Sequence, residues 1–185
     1  NRANIKDAIY EHDAGFHLIP GSFVSRRAKP QRLSDKISHL RDYYDFMLID
    51  SSPNLNDEMI ATLIASDELL VVTSPDYPTL STTLRAVRLA TQKNVPIKGL
   101  ILNRVRGKKF ELSIQDIEKV AKVPVLSVVH EDIRVPESIY YTTPVSLHKP
   151  WSKSAIAYKK LAAHLAGEKY DDGGLLQRMR GWFLR

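Results

Sequence analysis

The main body of the chain alternates short apolar runs with longer amphipathic segments. Apolar residues that recur every three to four positions predict helices at 32–43, 57–65, 80–93, 114–122, 135–141 and 152–165. Runs rich in β-branched and aromatic residues predict strands at Phe16–Ile19, Phe46–Ile49, Leu69–Thr73, Gly99–Leu102 and Val125–Val129. This alternation indicates βα units and an α/β fold with a mostly parallel, doubly wound sheet. Because the runs are apolar at consecutive positions, we expect helices on both faces of the sheet.

The two ends of the chain differ from this body. The chain starts without Met inside an amphipathic pattern in which Ile5, Ala8 and Ile9 share one helical face, so we expect a fragment cut from a longer protein. Gly167 is predicted to end the last body helix. The polar, glycine-rich segment 168–174 is typical of a linker. The expected division is therefore a domain at 1–167 that is incomplete at its amino terminus, the linker, and a distinct tail at 175–185.

Composition narrows the class of protein. A chain of 185 residues, 43% of them hydrophobic and 26% charged, suffices for one globular domain with a sizeable core. Cysteine is absent, which excludes disulfides, thiolate metal sites and iron–sulfur carriers. No apolar run approaches the ~20 residues of a membrane span and no signal peptide is present, so we expect a cytoplasmic protein. The net charge of +6 predicts attraction to an anionic partner without identifying it.

Asp50 directly follows the predicted strand Phe46–Ile49. Ligands of open parallel sheets bind outside the carboxyl ends of the strands. A carboxylate at that place, with a rigid strand behind it, is typical of phosphate-handling α/β proteins that hold Mg²⁺ through its water shell. Two alternatives are open: Asp50 caps the helix that begins near Asn56, or it anchors the intervening turn.

The tail at 175–185 is amphipathic if it is helical. At about 100° per residue, its apolar and aromatic side chains fall within an arc of roughly 120°, while Arg178, Arg180 and Arg185 lie off it and Leu184 does not fit. The residues on the apolar arc are Leu175, Leu176, Met179, Trp182 and Phe183. This pattern predicts a helix that lies in the membrane interface. The alternative is a helix that docks on its own domain.

Several consecutive motifs resemble the MinD/ParA family of P-loop ATPases, in family order and with family spacing over residues 5–165. The motifs are FMLIDSSPNLNDEM, LLVVTSPDYPTLSTTLRAV, GLILNRV and VVHEDIRVPESIYYTTPV. The resemblance implies a P-loop NTPase fold, ATP and Mg²⁺ as cofactors, and hydrolysis of ATP by water. The amphipathic tail favours the MinD side of the family.

The resemblance also implies roles for single residues. Asp50 would be the Walker-B-type acid that acts on Mg²⁺ through water. Residues 51–55, with Pro53 and Asn54, would form the switch loop that senses the γ-phosphate. A common family pattern has glycine where Asn54 stands, and asparagine is the other residue that best tolerates a positive φ, so the turn can persist.

The adenine site implied by the resemblance lies after two later strands. Asn103 would read the base edge, because a carboxamide offers both a donor and an acceptor; alternatively it closes the turn at the strand end. Ile133 would pack on the base. The alternative for residues 130–132 is a solvated loop without a role in binding. The residues assigned to the base are Asn103, Arg104, His130, Glu131, Asp132 and Ile133.

No G-x-x-x-x-G-K-[ST] string occurs in the chain, although such a loop cradles the phosphates in P-loop proteins. Together with the missing Met, this predicts that the first strand, the phosphate loop and switch I of the intact protein are absent from this sequence. We therefore expect the fragment alone to be a poor ATPase.

The expected function is that of a MinD-like ATPase for cell division or spatial organisation. It would cycle between the cytoplasm and the inner face of the cell membrane as an ATP-held homodimer with a regulatory protein partner of unknown identity. One alternative is a ParA-like DNA-partitioning ATPase, and another is a catalytically dead scaffold. Basic residues that would contact DNA phosphates are Arg26, Arg27, Lys29, Arg32, Arg104, Arg106, Lys108 and Lys109.

Overall fold

The computed structural model of the chain describes residues 5–21, 32–51 and 56–170. These residues fall into two units, one within 1–67 and 93–95 and the other within 68–92 and 96–185. The predicted membrane tail at 175–185 lies outside the described residues, as do Pro53 and Asn54.

Within the described residues, the first unit contains a β-hairpin, two α-helices and 3₁₀ helices at Ile5–Ala8 and Arg41–Tyr43. Its elements are β1 (Tyr10–His12), β2 (Phe16–Leu18), α1 (Leu33–Ser38) and α2 (Asp57–Ala65). The strands β1 and β2 pair antiparallel, and Gly15, at φ 84°, lies in the turn between them. The predicted bounds of α2 are confirmed, and α2 begins after Asn56, whose side chain accepts a hydrogen bond from the N–H of Met59.

Three predictions for this unit need correction. Phe46–Ile49 forms no strand within the described residues, and Phe46 and Leu48 are 61% and 85% exposed. An apolar run favours burial, but a strand also needs a neighbour for its backbone groups. Phe16–Leu18 is a strand, yet the turn at Gly15 pairs it with β1 in a separate antiparallel hairpin. The helix predicted over 32–43 ends at Ser38, whose hydroxyl donates to the Asp35 carbonyl in competition with helical bonding.

The second unit is a three-stranded parallel sheet with helices. Its elements are β3 (Leu69–Thr73), α3 (Tyr77–Gln92), β4 (Ile97–Val105), α4 (Ile114–Ala121), β5 (Val125–His130), α5 (Arg134–Tyr140), α6 (Val145–His148) and α7 (Lys153–Ala166). The sheet order is β3-β4-β5. The predicted α/β class is confirmed, and Gly167 ends α7 at φ 73°, as predicted. α6 was not among the helices predicted from the sequence.

The core of this unit lies around β4. Residues 99–102 are buried on both faces of the strand, and Leu100 and Leu102 are 0% and 1% exposed. They share a cluster with Val87 of α3 and Ile117 of α4. Helices α3 and α4 thus cover the face of β4 that carries Leu100 and Leu102. Helix α7 lies against β5 rather than β3, and Val72 of β3 is 58% exposed.

Gly99 permits a close approach between β4 and the start of β5. A Cβ atom at this position would lie 2.3 Å from Cγ of Leu126 and 2.9 Å from the carbonyl oxygen of Pro124. That oxygen accepts a hydrogen bond from the N–H of Leu100 at 2.8 Å. The Leu126 side chain can turn away, but the carbonyl cannot move without disturbing the sheet.

We expect Gly99→Ala to lower the free energy of unfolding by about 1–3 kcal/mol, because the added methyl group overpacks this contact. Urea denaturation measures the change. Gly21→Ala is the matched control, since a Cβ there meets no atom within 4 Å, and its effect should stay within about 0.5 kcal/mol. Equal effects of the two substitutions would contradict the close approach.

Candidate functional site

The carboxyl ends of β4 and β5 meet at one edge of the parallel sheet, where α/β proteins bind ligands. The N–H of Glu131 donates to the carbonyl oxygen of Val105 at 2.9 Å, and Nδ1 of His130 lies 3.2 Å from the same oxygen. The loops that leave the two strands are therefore joined at their starting points. All the residues assigned to the adenine site lie on these loops or on the strand ends: Asn103, Arg104, His130, Glu131, Asp132 and Ile133.

Asn103 is half-buried near the end of β4. Its Oδ1 accepts a hydrogen bond from the N–H of Arg104 at 3.0 Å, so the side chain does close the strand-end turn. Its Nδ2 group has no acceptor among the described residues and can donate to a ligand. Arg104 has a φ of 56°, a left-handed conformation that costs about 1–2 kcal/mol for a residue with a Cβ. Such strain is concentrated at functional sites.

Arg106 and Glu131 form a two-point ion pair between the loops. Nε and Nη2 of Arg106 lie 2.5 and 3.0 Å from the two carboxylate oxygens of Glu131. Their hydrogen bonds and opposite charges lower the pKa of Glu131 and raise the pKa of Arg106. Glu111 accepts hydrogen bonds from the N–H groups of Arg106 and Lys108, which lower its pKa. Two carboxylates, those of Glu131 and Glu111, thus hold the loop after β4 in place.

The Asp132 side chain is buried, with 3% exposed, and connects the loop after β5 to two helices. It accepts hydrogen bonds from the N–H of Arg134 at 3.1 Å and from the N–H and hydroxyl of Ser154 at 3.3 and 3.0 Å. Burial alone would raise the pKa of Asp132, but these hydrogen bonds outweigh it and hold the pKa below its usual value. Asp132 therefore positions the loop, whereas its neighbour Ile133 is 76% exposed.

Asp50 lies in the first unit. Its side chain is exposed and has no hydrogen-bond or ion-pair partner in the part of the chain that the structure describes. Asn56 itself caps α2, so Asp50 is not the helix cap. No group of three or more His, Cys, Asp or Glu side chains suited to a metal ion occurs among the described residues. A single carboxylate fits an Mg²⁺ ion that is held through water and takes its other ligands from phosphate oxygens.

The free amide donors of Asn103 and the exposed side chain of Ile133, beside the two strand ends, are suited to contact a flat heterocycle. The Nδ2 group of Asn103 offers donors to a ring nitrogen. The exposed side chain of Ile133 offers an apolar surface to a ring face. The acidic groups of the same loop are paired with arginines, Glu131 with Arg106 and Asp132 with Arg134. They do not repel an anionic nucleotide as free carboxylates would.

Comparison with known proteins identifies relatives of the chain. A family model described as an AAA domain matches residues 6–96. An uncharacterized ATP-binding protein of Methanocaldococcus jannaschii is 34% identical over 92% of this chain and 66% of its own length. The septum site-determining protein MinD of Pyrococcus horikoshii, solved with Mg-ADP, has a TM-score of 0.80 at 30% identity, over 88% of this chain and 69% of that one. The cell division ATPase MinD of Pyrococcus furiosus gives 0.82 at 30%, over 89% and 71%.

The chain belongs to the MinD/ParA family of P-loop ATPases. It spans about two thirds of the length of two curated relatives, 66% of one and 64% of the other. No helix among the described residues is both long and apolar enough to cross a membrane.

Within this MinD/ParA chain, sequence reasoning missed the contacts that hold the site together. Arg106 and Glu131 are 25 residues apart, and Asp132 and Ser154 are 22 apart, so no local spacing indicates either pair. The ParA-like alternative places Arg106 against DNA phosphates, but its guanidinium is bound by the carboxylate of Glu131. Lys108 and Lys109 are exposed. The one local signal is Ser152, whose side chain caps α7 by accepting from the N–H of Ala155.

We expect Asp132→Asn to lower the free energy of unfolding by about 1–3 kcal/mol at pH 7, because an amide cannot accept all the hydrogen bonds of the carboxylate. The lowered pKa of Asp132 means that its stabilising contribution is present above the carboxyl's unfolded pKa, near 4, and is lost as the pH falls through the folded value. The difference between parent and variant should therefore shrink from pH 5 toward pH 3 in urea denaturation.

Asp45→Asn is the control for this pH dependence. Asp45 is exposed and has no hydrogen-bond or ion-pair partner in the described ranges, so its substitution should have little effect at any pH. A constant difference between the Asp132→Asn variant and the parent over this range would contradict the role of the carboxylate charge.

Proposed function

We propose that this chain is the larger part of a MinD-like, ATP-dependent and membrane-associated positioning ATPase that acts in cell division or spatial organisation. The observation that supports the proposal most is the amide of Asn103, which keeps free donors beside the strained Arg104 at the end of β4. The family membership of the chain and the Mg-ADP bound to the P. horikoshii relative point to ATP as the ligand.

In this proposal the second unit binds the base. Nδ2 of Asn103 donates to a ring nitrogen of adenine, and the Ile133 side chain contacts the ring face. Asp132 holds Ile133 in place through Ser154, and the ion pair of Arg106 with Glu131 fixes the loops on which these groups lie. Arg104 and His130 border the base from the strand ends.

In the same proposal the first unit provides Asp50, the acid that acts on the metal ion. Asp50 accepts hydrogen bonds from water molecules of the metal ion, and Pro53 and Asn54 belong to the loop that responds to the γ-phosphate. Mg²⁺, when bound, neutralises phosphate charge in the transition state. We propose that the phosphate loop comes from sequence outside these 185 residues, since none of them supplies a Walker-A string. The fragment alone would then be inactive.

Joining the amino-terminal segment of the P. horikoshii MinD to this chain should produce Mg²⁺-dependent ATP hydrolysis. Asp50→Ala in the joined protein should lower kcat by about 100-fold or more, because an interaction that stabilises transition-state charge is lost. Release of inorganic phosphate measures the rate, and Asp45→Ala is the control at an exposed acid in the same unit. An Asp50→Ala variant as fast as the joined parent would contradict the metal role, and a joined parent that neither binds nor hydrolyses ATP would contradict the proposed activity.

We further propose that the tail at 175–185 binds the inner face of the cell membrane. Burial of its five apolar-arc side chains yields at most roughly 7–15 kcal/mol. Ordering its residues costs on the order of 1–2 kcal/mol each, so one tail is a marginal anchor. Two tails on an ATP-held homodimer bind far more tightly through their effective concentration. The nucleotide state would thus control whether the protein is cytoplasmic or membrane-bound.

The double substitution Trp182→Glu with Phe183→Glu should abolish cosedimentation with anionic liposomes and leave the melting temperature unchanged, because it places charge at the acyl boundary. Binding of the parent should weaken as salt rises. Leu184→Glu, off the apolar arc, is the control and should retain most of the binding. A lower melting temperature of the double variant, together with a parent that never binds liposomes, would instead favour the docked helix. A salt-dependent DNA shift that Lys108→Gln with Lys109→Gln removes would favour the ParA-like alternative.

A further inference from the structure

A groove of 390 Å³ lies between β5 and α7, lined by none of the residues assigned to the nucleotide. On the strand side it contacts three consecutive residues, 126–128. Successive side chains of a strand point to opposite faces of the sheet, so contact with consecutive residues places the groove along the edge of β5. The apolar part of its lining is formed by Leu126, Val128, Ile156 and Leu161.

The backbone of β5 is available at this edge. β5 is the last strand in the order β3-β4-β5, and within the described residues it pairs only with β4. An edge strand directs alternate N–H and C=O groups away from the sheet, where they can pair with another strand.

The helix side of the groove carries three basic side chains: Lys153, Lys160 and His164. Their spacing of seven and four residues places them on one stripe of α7, over about 16 Å of helix at 1.5 Å per residue. None of them has a carboxylate partner in the part of the chain that the structure describes, and Lys160 has only the Tyr170 ring, 6.0 Å from its Nζ. All three are exposed.

We propose that this groove is a partner-binding site that takes an extended acidic segment of another protein, added as a strand to the edge of β5. Its backbone would pair with β5, its apolar side chains would contact Val128 and Ile156, and its carboxylates would face the basic stripe of α7. Charge complementarity selects this occupant over the chain's own tail, which carries Arg178, Arg180 and Arg185. The length of the basic stripe, about 16 Å, corresponds to about five residues of an extended strand at 3.3 Å per residue.

The probe is a labelled peptide of about seven residues in which glutamate alternates with valine, titrated against the full chain by fluorescence anisotropy. We expect saturable binding that weakens as salt rises. Lys153→Gln with Lys160→Gln should weaken it about tenfold, because two charge pairs are lost. Lys108→Gln with Lys109→Gln removes the same charge outside the groove and should change the affinity less than about twofold. Unchanged melting temperatures verify the fold of both double variants.

A peptide that is N-methylated at alternate positions separates strand addition from simple charge attraction. It keeps the glutamates but loses backbone donors, so the proposal expects binding to be lost. Equal affinity of the methylated and parent peptides would overturn strand addition, and equal weakening by the two double variants would overturn the site. Displacement of the probe by a peptide of residues 171–185 would assign the groove to the tail instead.

Discussion

Burial of β4 on both faces is the constraint on which the second unit depends. Leu100 and Leu102 fill the face toward α3 and α4, and the buried Ile101 occupies the opposite face. A shift of one residue would exchange the two faces, and Gly99 would no longer lie beneath Leu126, where a larger residue does not fit. The register of β4 against its neighbours is therefore fixed by packing, and so is the point at which the chain leaves the strand.

Beyond the end of β4, a series of contacts positions the candidate site. The Val105 carbonyl joins the ends of β4 and β5, the ion pair of Arg106 with Glu131 joins the two loops, and Asp132 joins the second loop to the start of α7. Because these polar groups form hydrogen bonds with one another, they stabilise the loops and are not available to a ligand. The groups that remain free, Nδ2 of Asn103 and the side chain of Ile133, are those with which a ligand can interact. The backbone of Arg104, with its positive φ, is held by the hydrogen bond that its N–H donates to Oδ1 of Asn103.

Periodicity predicted the elements whose neighbours are close in sequence. The bounds of β3 and α2 agree residue for residue, and β4 and β5 extend beyond their predictions by only a few residues. Periodicity failed at Phe46–Ile49, because an apolar run favours burial but does not show which neighbouring strand it would pair with. The candidate base-binding residues came from the family resemblance rather than from periodicity, and the resemblance did not indicate their contacts. Asp132 is 22 residues from Ser154 in the chain, and only the fold shows that they meet.

The net charge of +6 predicts an anionic partner, and the structure distinguishes the cations that are free to meet one. The guanidinium of Arg106 is bound to Glu131, and Lys98 is bound to Glu68, so neither is a free positive site. Along α7, by contrast, Lys153 and Lys160 stand beside apolar side chains and a strand edge rather than on an open convex surface. A nucleic acid backbone binds through its phosphates to accessible cations, and the apolar side chains that line the groove add nothing to that binding. An acidic polypeptide strand uses the charge, the apolar side chains and the backbone edge together, so the groove between β5 and α7 fits a protein partner better than DNA.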